Sequence, residues 1–133
     1  MYTDSTVFLI EDDAAVRDAI TILLAMAGFK VADYPSGKAF LDAYSKDRPG
    51  CVLINLRQPE MEGLIMQQEL IRRNISIPII FMTEIGSVWN SALPMHYGAF
   101  CLLEKPIPRL LLLERVREAM QLDLGEENSG SFS

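Results

Sequence analysis

Residues 51–63 read CVLINLRQPEMEG. The run CVLI is continuously apolar, ends abruptly on the polar Asn55, and gives way to a proline-containing turn. A short apolar run bounded by a turn is what a strand buried on both faces requires, and such strands belong to parallel sheets covered by helices. If 51–55 is such a strand, it delivers a carboxamide to its carboxyl end. The rest of the chain decides what stands beside that carboxamide.

Four more runs share this character: TVFLI (6–10), FKVADY (29–34), IPIIFM (77–82) and AFCLLE (99–104). The stretches between them have helical period. Val16, Ile20, Leu23, Leu24 and Ala27 recur at intervals of three and four, and Gly28 stops that helix. Ser36 is an N-cap for a second helix running through Phe40 and Leu41 to Tyr44. A third covers about 63–73, with Leu64, Gln67, Leu70 and Ile71 on one side and two arginines at its C-terminal end, where cations suit the helix dipole. A fourth, about 87–97, contains Pro94, which removes a hydrogen bond and predicts a kink. The last begins at Pro108, near the favoured first position, and runs to about Leu122.

Five strands alternating with five helices predict a doubly wound α/β fold with a parallel sheet and right-handed crossovers. At this size the expected strand order is 2-1-3-4-5, the flavodoxin-like arrangement. The chain has 133 residues, half of them hydrophobic, which suffices for one core. Residues 1–121 read as one domain. Residues 122–133 contain the small, polar run LGEENSGSFS and read as a flexible linker or frayed tail.

Eighteen acids against twelve bases give a net charge of −6, so the chain itself carries no footprint for nucleic acid. No basic region precedes the first apolar run, so the N-terminus does not read as a signal peptide. No apolar run is long enough to span a bilayer. Cys51 and Cys101 sit in apolar runs and read as reduced, buried thiols of a cytoplasmic protein. They fall on the third and fifth strands, which the predicted order keeps apart. The sequence holds no CxxC or HExxH spacing. The seven methionines are dispersed and read as core filler.

In a doubly wound sheet, ligands bind beyond the carboxyl ends of the strands, where the strand order reverses. There strand 1 presents Glu11, Asp12 and Asp13, strand 3 presents Asn55, strand 4 presents Thr83, and strand 5 presents Lys105. Each has an ordinary explanation alone. Acids before a helix cap it, Asn and Thr form turns, and a Lys before Pro is a solvated charge. Their convergence on one edge from four strands points to a site.

These stretches, VFLIEDDAAVRDAI, DRPGCVLINLRQPEMEG, IPIIFMT and GAFCLLEKP, resemble the CheY-like receiver domains of two-component response regulators over roughly residues 5–121. The likeness is greatest to the FixJ branch, which carries a LuxR-type DNA-binding output domain. The resemblance implies that Asp12 binds Mg²⁺ directly and that Glu11 supports it. It implies that the backbone carbonyl of Arg57 is a further ligand, and that Thr83 and Lys105 contact a phosphoryl group. The acceptor of that group would be the aspartate ending strand 3, which takes it from a histidine kinase.

Here that position holds Asn55. A carboxylate attacks phosphorus because it is charged and forms an acyl phosphate, and a carboxamide oxygen does neither well. With one fewer charged oxygen, a site of Glu11, Asp12, Asn55 and Arg57 should hold Mg²⁺ only weakly. Like-charge crowding falls too. Lys105 remains able to pair with Asp12 or the Asn55 carbonyl. Other departures accompany it: Leu102 where an aromatic switch is usual, Gln58 where Met usually precedes Pro, and Glu84 where a small residue usually follows the Thr. An acid at position 84 would repel an incoming phosphoryl group.

The expected function is therefore a non-enzymatic, atypical receiver, part of a transcription regulator, acting through protein contacts. Homodimerisation is expected through the fourth helix, fifth strand and fifth helix, a face holding Trp89, Tyr97, Leu102 and LLLL (110–113). In that quartet Leu110 and Leu113 can face the core, leaving Leu111 or Leu112 for a partner. His96, the only histidine, reads as a surface residue. A histidine kinase remains a partner only if acceptor activity survives, and DNA only through an output domain beyond residue 133. Two alternatives stand beside this. One is a phosphorylatable receiver bearing an acceptor-site substitution. The other is a small flavodoxin-like ligand-binding domain, against which EDDAAV offers no glycine-rich phosphate loop.

Overall fold

The computed structural model describes residues 5–45, 48–55, 61–84 and 101–129. Five parallel strands, β1 (Thr6–Ile10), β2 (Lys30–Tyr34), β3 (Gly50–Asn55), β4 (Ile79–Thr83) and β5 (Cys101–Glu104), form one sheet in the order β2-β1-β3-β4-β5. This is the predicted topology. Helices α1 (Ala14–Met26), α2 (Gly37–Ala43) and α3 (Met61–Arg72) and a C-terminal helix (Arg109–Ser129) complete the described elements. The predicted helix at 87–97, with Pro94, His96, Trp89 and Tyr97, lies outside the described residues, as do Arg57 and Gln58.

Strand alternation divides the core in two. Val7, Leu9, Cys51, Leu53, Ile80 and Met82 share one face with Leu24 of α1 and with Leu112, Leu113, Val116 and Met120 of the C-terminal helix. Phe8, Ile10, Val52, Ile54, Ile79 and Phe81 share the other with Phe40 of α2 and with Met66 and Leu70 of α3. Burial on both faces is why β1, β3 and β4 are buried throughout and read as unbroken apolar runs rather than as alternating ones. Strand β4 lies between Cys51 and Cys101, and both thiols are free. Burial pushes the Cys101 thiol up to about 11, so it stays protonated and weakly nucleophilic at neutral pH.

Helix ends follow the local chemistry. The Ser36 hydroxyl accepts from Ala39 N at 3.1 Å, the predicted cap of α2. Past α1, Gly28 takes φ +98°. Gly28 N then donates to Ala25 O at 3.0 Å and Phe29 N to Leu24 O at 3.0 Å, a Schellman closure that also brings Phe29 and Leu24 into one core. Asn74 closes α3 in the same way at φ 59°, with Ile75 N donating to Leu70 O at 2.9 Å. The two arginines ending α3 do more than face its dipole. Arg72 and Arg73 both bind Glu69 and their hydrogen bonds hold its carboxyl down at about 2.

Three expectations need correction. The C-terminal helix continues to Ser129 rather than ending near Leu122, because Leu124, Glu126 and Glu127 are good helix formers and a single Gly125 does not outweigh them. Ile71 is 52% exposed, while Met66 and Leu70 are buried. The inward face of α3 centres on that i, i+4 pair, and the next residue is turned about 100° away. In the leucine quartet Leu110 is 79% exposed and Leu112 and Leu113 are buried. The inward stripe is 112, 113, 116, 119 and 120, so Leu112 belongs to the core and not to a partner surface, and Leu111 packs at its margin. In α1 only Leu24 is fully buried. Ile20, Leu23 and Ala27 pack at the edge of the core, and Val16 is 36% exposed.

Candidate functional site

The sheet brings the carboxyl ends of β1, β3, β4 and β5 side by side. Glu11 follows β1 and is 1% exposed. Its backbone is fixed from two sides: its N–H donates to Tyr34 O at 3.0 Å, and its carbonyl accepts from Arg17 Nη1 at 2.8 Å. Its carboxylate accepts from a backbone and a side-chain donor. Asp13 N donates to Oε2 at 3.0 Å and Asn55 Nδ2 donates to Oε1 at 2.5 Å. A buried carboxylate requires such partners, because an unpaired one would bear a large desolvation cost. The first acid of the strand-1 tip and the carboxamide of the strand-3 tip are therefore joined directly.

The three acids have separate roles. Asp13 is the N-cap of α1, its carboxylate accepting from Ala15 N at 2.9 Å and Val16 N at 3.1 Å. Asp12 is exposed on the rim. Asp13→Ala should cost about 1 kcal/mol of stability, the usual worth of a cap. Urea denaturation should return that loss equally with and without Mg²⁺, since the side chain is committed to the helix.

Two buried polar atoms at this edge have no hydrogen-bond partner among the described residues: Asn55 Oδ1 and Thr83 Oγ1. Thr83 is 1% exposed. Orphaned polar atoms in a buried position are where a ligand, ion or water would be accommodated. Oxygen donors from Glu11, Asp12 and Asn55 suit a hard divalent cation. Glu11 Oε1 already accepts from Asn55 Nδ2, so a cation there would share that oxygen's remaining lone pair with the pair already formed. Among the described residues no three acids, histidines or cysteines cluster to hold a metal.

Lys105 does not pair as expected. Its Nζ lies 3.3 Å from Glu84 Oε2, and Asn55 Oδ1 has no partner among the described residues. Glu84 sits next to Thr83, closer along the sheet edge than Asp12. Leu102 is half-buried and packs against the core that contains Phe81, its partner in the β4–β5 register.

Arg17 escaped the sequence reading. It joins the Glu11 carbonyl to Asp33 at 3.3 Å, steadying the acidic tip against β2. A cation in the first turn of a helix opposes the dipole, and that anomaly in AAVRDAI is the signal that could have found it.

Residues 7–117 match the response regulator receiver domain family. Over 119 residues the chain is 39% identical to the transcriptional regulatory protein TdiR of Thauera aromatica, covering 90% of this chain and 52% of that one. Over 121 residues it is 34% identical to the transcriptional regulatory protein FixJ of Bradyrhizobium diazoefficiens, covering 91% and 59%. The crystal structure of FixJ-N superimposes with a TM-score of 0.81 at 32% identity, over 90% of this chain and 95% of that one. The chain thus spans little more than half the length of these curated relatives.

Proposed function

The chain belongs to the response regulator receiver family, and on that premise we propose that it is an atypical receiver that signals through protein contacts without accepting phosphate at position 55. The observation that carries this reading is the Asn55 Nδ2–Glu11 Oε1 hydrogen bond. It occupies the acidic pocket with an internal donor and leaves a neutral amide where the family would present a nucleophile. A carboxamide nitrogen has no lone pair available for attack on phosphorus, and its oxygen is uncharged.

Mg²⁺ bound here would be held weakly by Asp12, Glu11, Asn55 Oδ1 and the Arg57 carbonyl, and would supply positive charge against those acids. Thr83 and Lys105 remain as pocket residues without a phosphoryl group to contact, and Leu102 rests half-buried. A non-catalytic, cytoplasmic role in a transcription regulator related to FixJ is consistent with the relatives. Among the described residues no helix is long and apolar enough to cross a membrane. DNA contact would fall to an output domain outside this chain, since the net charge of −6 disfavours phosphates. Output through a homodimer is supported by Leu110, which is 79% exposed at the start of the C-terminal helix. A solvated leucine there is apolar surface available to a partner.

Incubation with acetyl phosphate and Mg²⁺, read by intact mass, tests the proposal. The natural chain should remain unmodified, and a stoichiometric phosphate adduct mapped to residue 55 would overturn it. The alternative, a phosphorylatable receiver bearing an acceptor-site substitution, would be favoured instead by rapid, Mg²⁺-dependent phosphorylation of Asn55→Asp with a change in oligomer state.

A further inference from the structure

Lys105 is a cation at this sheet edge, and its partner, Glu84, follows β4. The pairing follows from strand register. Thr83 faces Glu104 in the β4–β5 ladder, and Lys105 N donates to Thr83 O at 2.8 Å. The next residue along β4, Glu84, and the next along β5, Lys105, are thereby held as cross-strand neighbours, where opposite charges attract. Their side chains meet at 3.3 Å. Among the described residues Lys105 makes no other side-chain hydrogen bond or ion pair, and the buried Asn55 Oδ1 has no donor.

We infer that Glu84 is a built-in counter-ion that holds Lys105 away from the pocket, so that the site is closed to phosphoryl groups at a second point independent of Asn55. This rests on the reading of Asn55 as the acceptor position. A tetrahedral oxyanion entering between Asn55 and Thr83 requires a cation to offset its charge. Lys105 follows β5, the strand paired with β4, and it is already engaged. The engaging group is itself an acid beside Thr83, so an incoming dianion meets repulsion as well as a missing partner. Restoring a carboxylate at position 55 alone should therefore give a poor acceptor.

The experiment compares Asn55→Asp with Asn55→Asp/Glu84→Ala and Asn55→Asp/Glu84→Gln in the full 133-residue chain. Each is given acetyl phosphate and Mg²⁺ and followed by intact mass. In the reaction a carboxylate oxygen at position 55 bonds to phosphorus while the bond from phosphorus to acetate breaks, acetate leaving with that electron pair. Both double variants should react about tenfold faster than the single variant at low salt, and the gap should narrow at high ionic strength, since the Glu84 carboxylate is screened there. Glutamine keeps the size of glutamate and removes its charge. Acceleration by alanine but not glutamine would show that bulk matters, and equal rates in all three would show that Glu84 is inert; either overturns the inference.

A second readout needs no phosphate transfer. Limited acetylation of lysines by acetic anhydride, mapped by peptide mass, should label Lys105 about twofold faster in Glu84→Gln than in the natural chain, the scale of an exposed ion pair. Unchanged labelling overturns the pairing, and that result decides the matter if no variant takes phosphate. Phosphate uptake at residue 55 by the natural chain would instead sink the reading of Asn55, whatever Glu84 does.

Discussion

Asn55→Asp is expected to lower the stability of the metal-free chain by about 3 kcal/mol, on the order of a 10 °C fall in Tm for a domain of this size. Asn55 Nδ2 donates to Glu11 Oε1 at 2.5 Å, and Glu11 is 1% exposed. Aspartate exchanges that donor for a second carboxylate, setting two like charges at hydrogen-bond distance in a largely buried site. The lost bond and the repulsion add. Asn55→Ala separates them, since it removes the donor without adding charge and should cost about 1–3 kcal/mol, the cost of stranding one buried acceptor. Millimolar Mg²⁺ should restore most of the aspartate variant's loss, because a cation that binds only the folded site stabilises it by mass action, and should do little for the natural chain. Thermal denaturation of the three proteins with EDTA and with Mg²⁺ checks this. If aspartate costs no more than alanine in EDTA, the charge-based account of this pocket is wrong.

Gly50→Ala should be more damaging, about 4 kcal/mol or more, enough to leave much of the chain unfolded. Gly50 opens β3 at φ +147°, a region that L-residues rarely occupy. A Cβ there would lie 1.9 Å from the Thr6 carbonyl oxygen and 2.9 Å from Thr6 N. Both are backbone atoms of the paired strand, in the register Thr6↔Gly50, so no side chain can swing aside. Relief requires β1 and β3 to separate where they begin, and β3 is the strand that carries Asn55 to Glu11. Urea denaturation followed by circular dichroism gives the loss. A cost below about 1 kcal/mol, the ordinary range of a surface substitution, would mean that this close approach is relieved cheaply.

The fold was legible because its signals are local and repeated. TVFLI, CVLIN and IIFMT are apolar without alternation, which only a sheet covered on both faces demands, and the intervening stretches keep a helical period. Ser36 and Gly28 marked a helix start and a helix stop through chemistry confined to a few residues. Of the site, the gathering of Glu11, Asn55, Thr83 and Lys105 at one edge followed from strand order alone. Less legible was how far each helix turns into the core. Leu112 and Ile71 were misplaced because runs such as LLLL and ELIRR are compatible with several helical phases. The phase is set by the side chains opposite, here those of β3 and β4 for the C-terminal helix.

The amino-acid sequence by itself determined that this chain forms a doubly wound sheet, and that a carboxamide stands where its acids, hydroxyl and amine converge. Only the tertiary structure decided who pairs with whom: Asn55 with Glu11, Lys105 with Glu84, Arg17 with the Glu11 carbonyl. The physical reason is one of range. Secondary structure and facing follow from neighbours along the chain. A polar side chain in a crowded edge takes whichever partner lies nearest in space, and ångström differences between strands settle that competition.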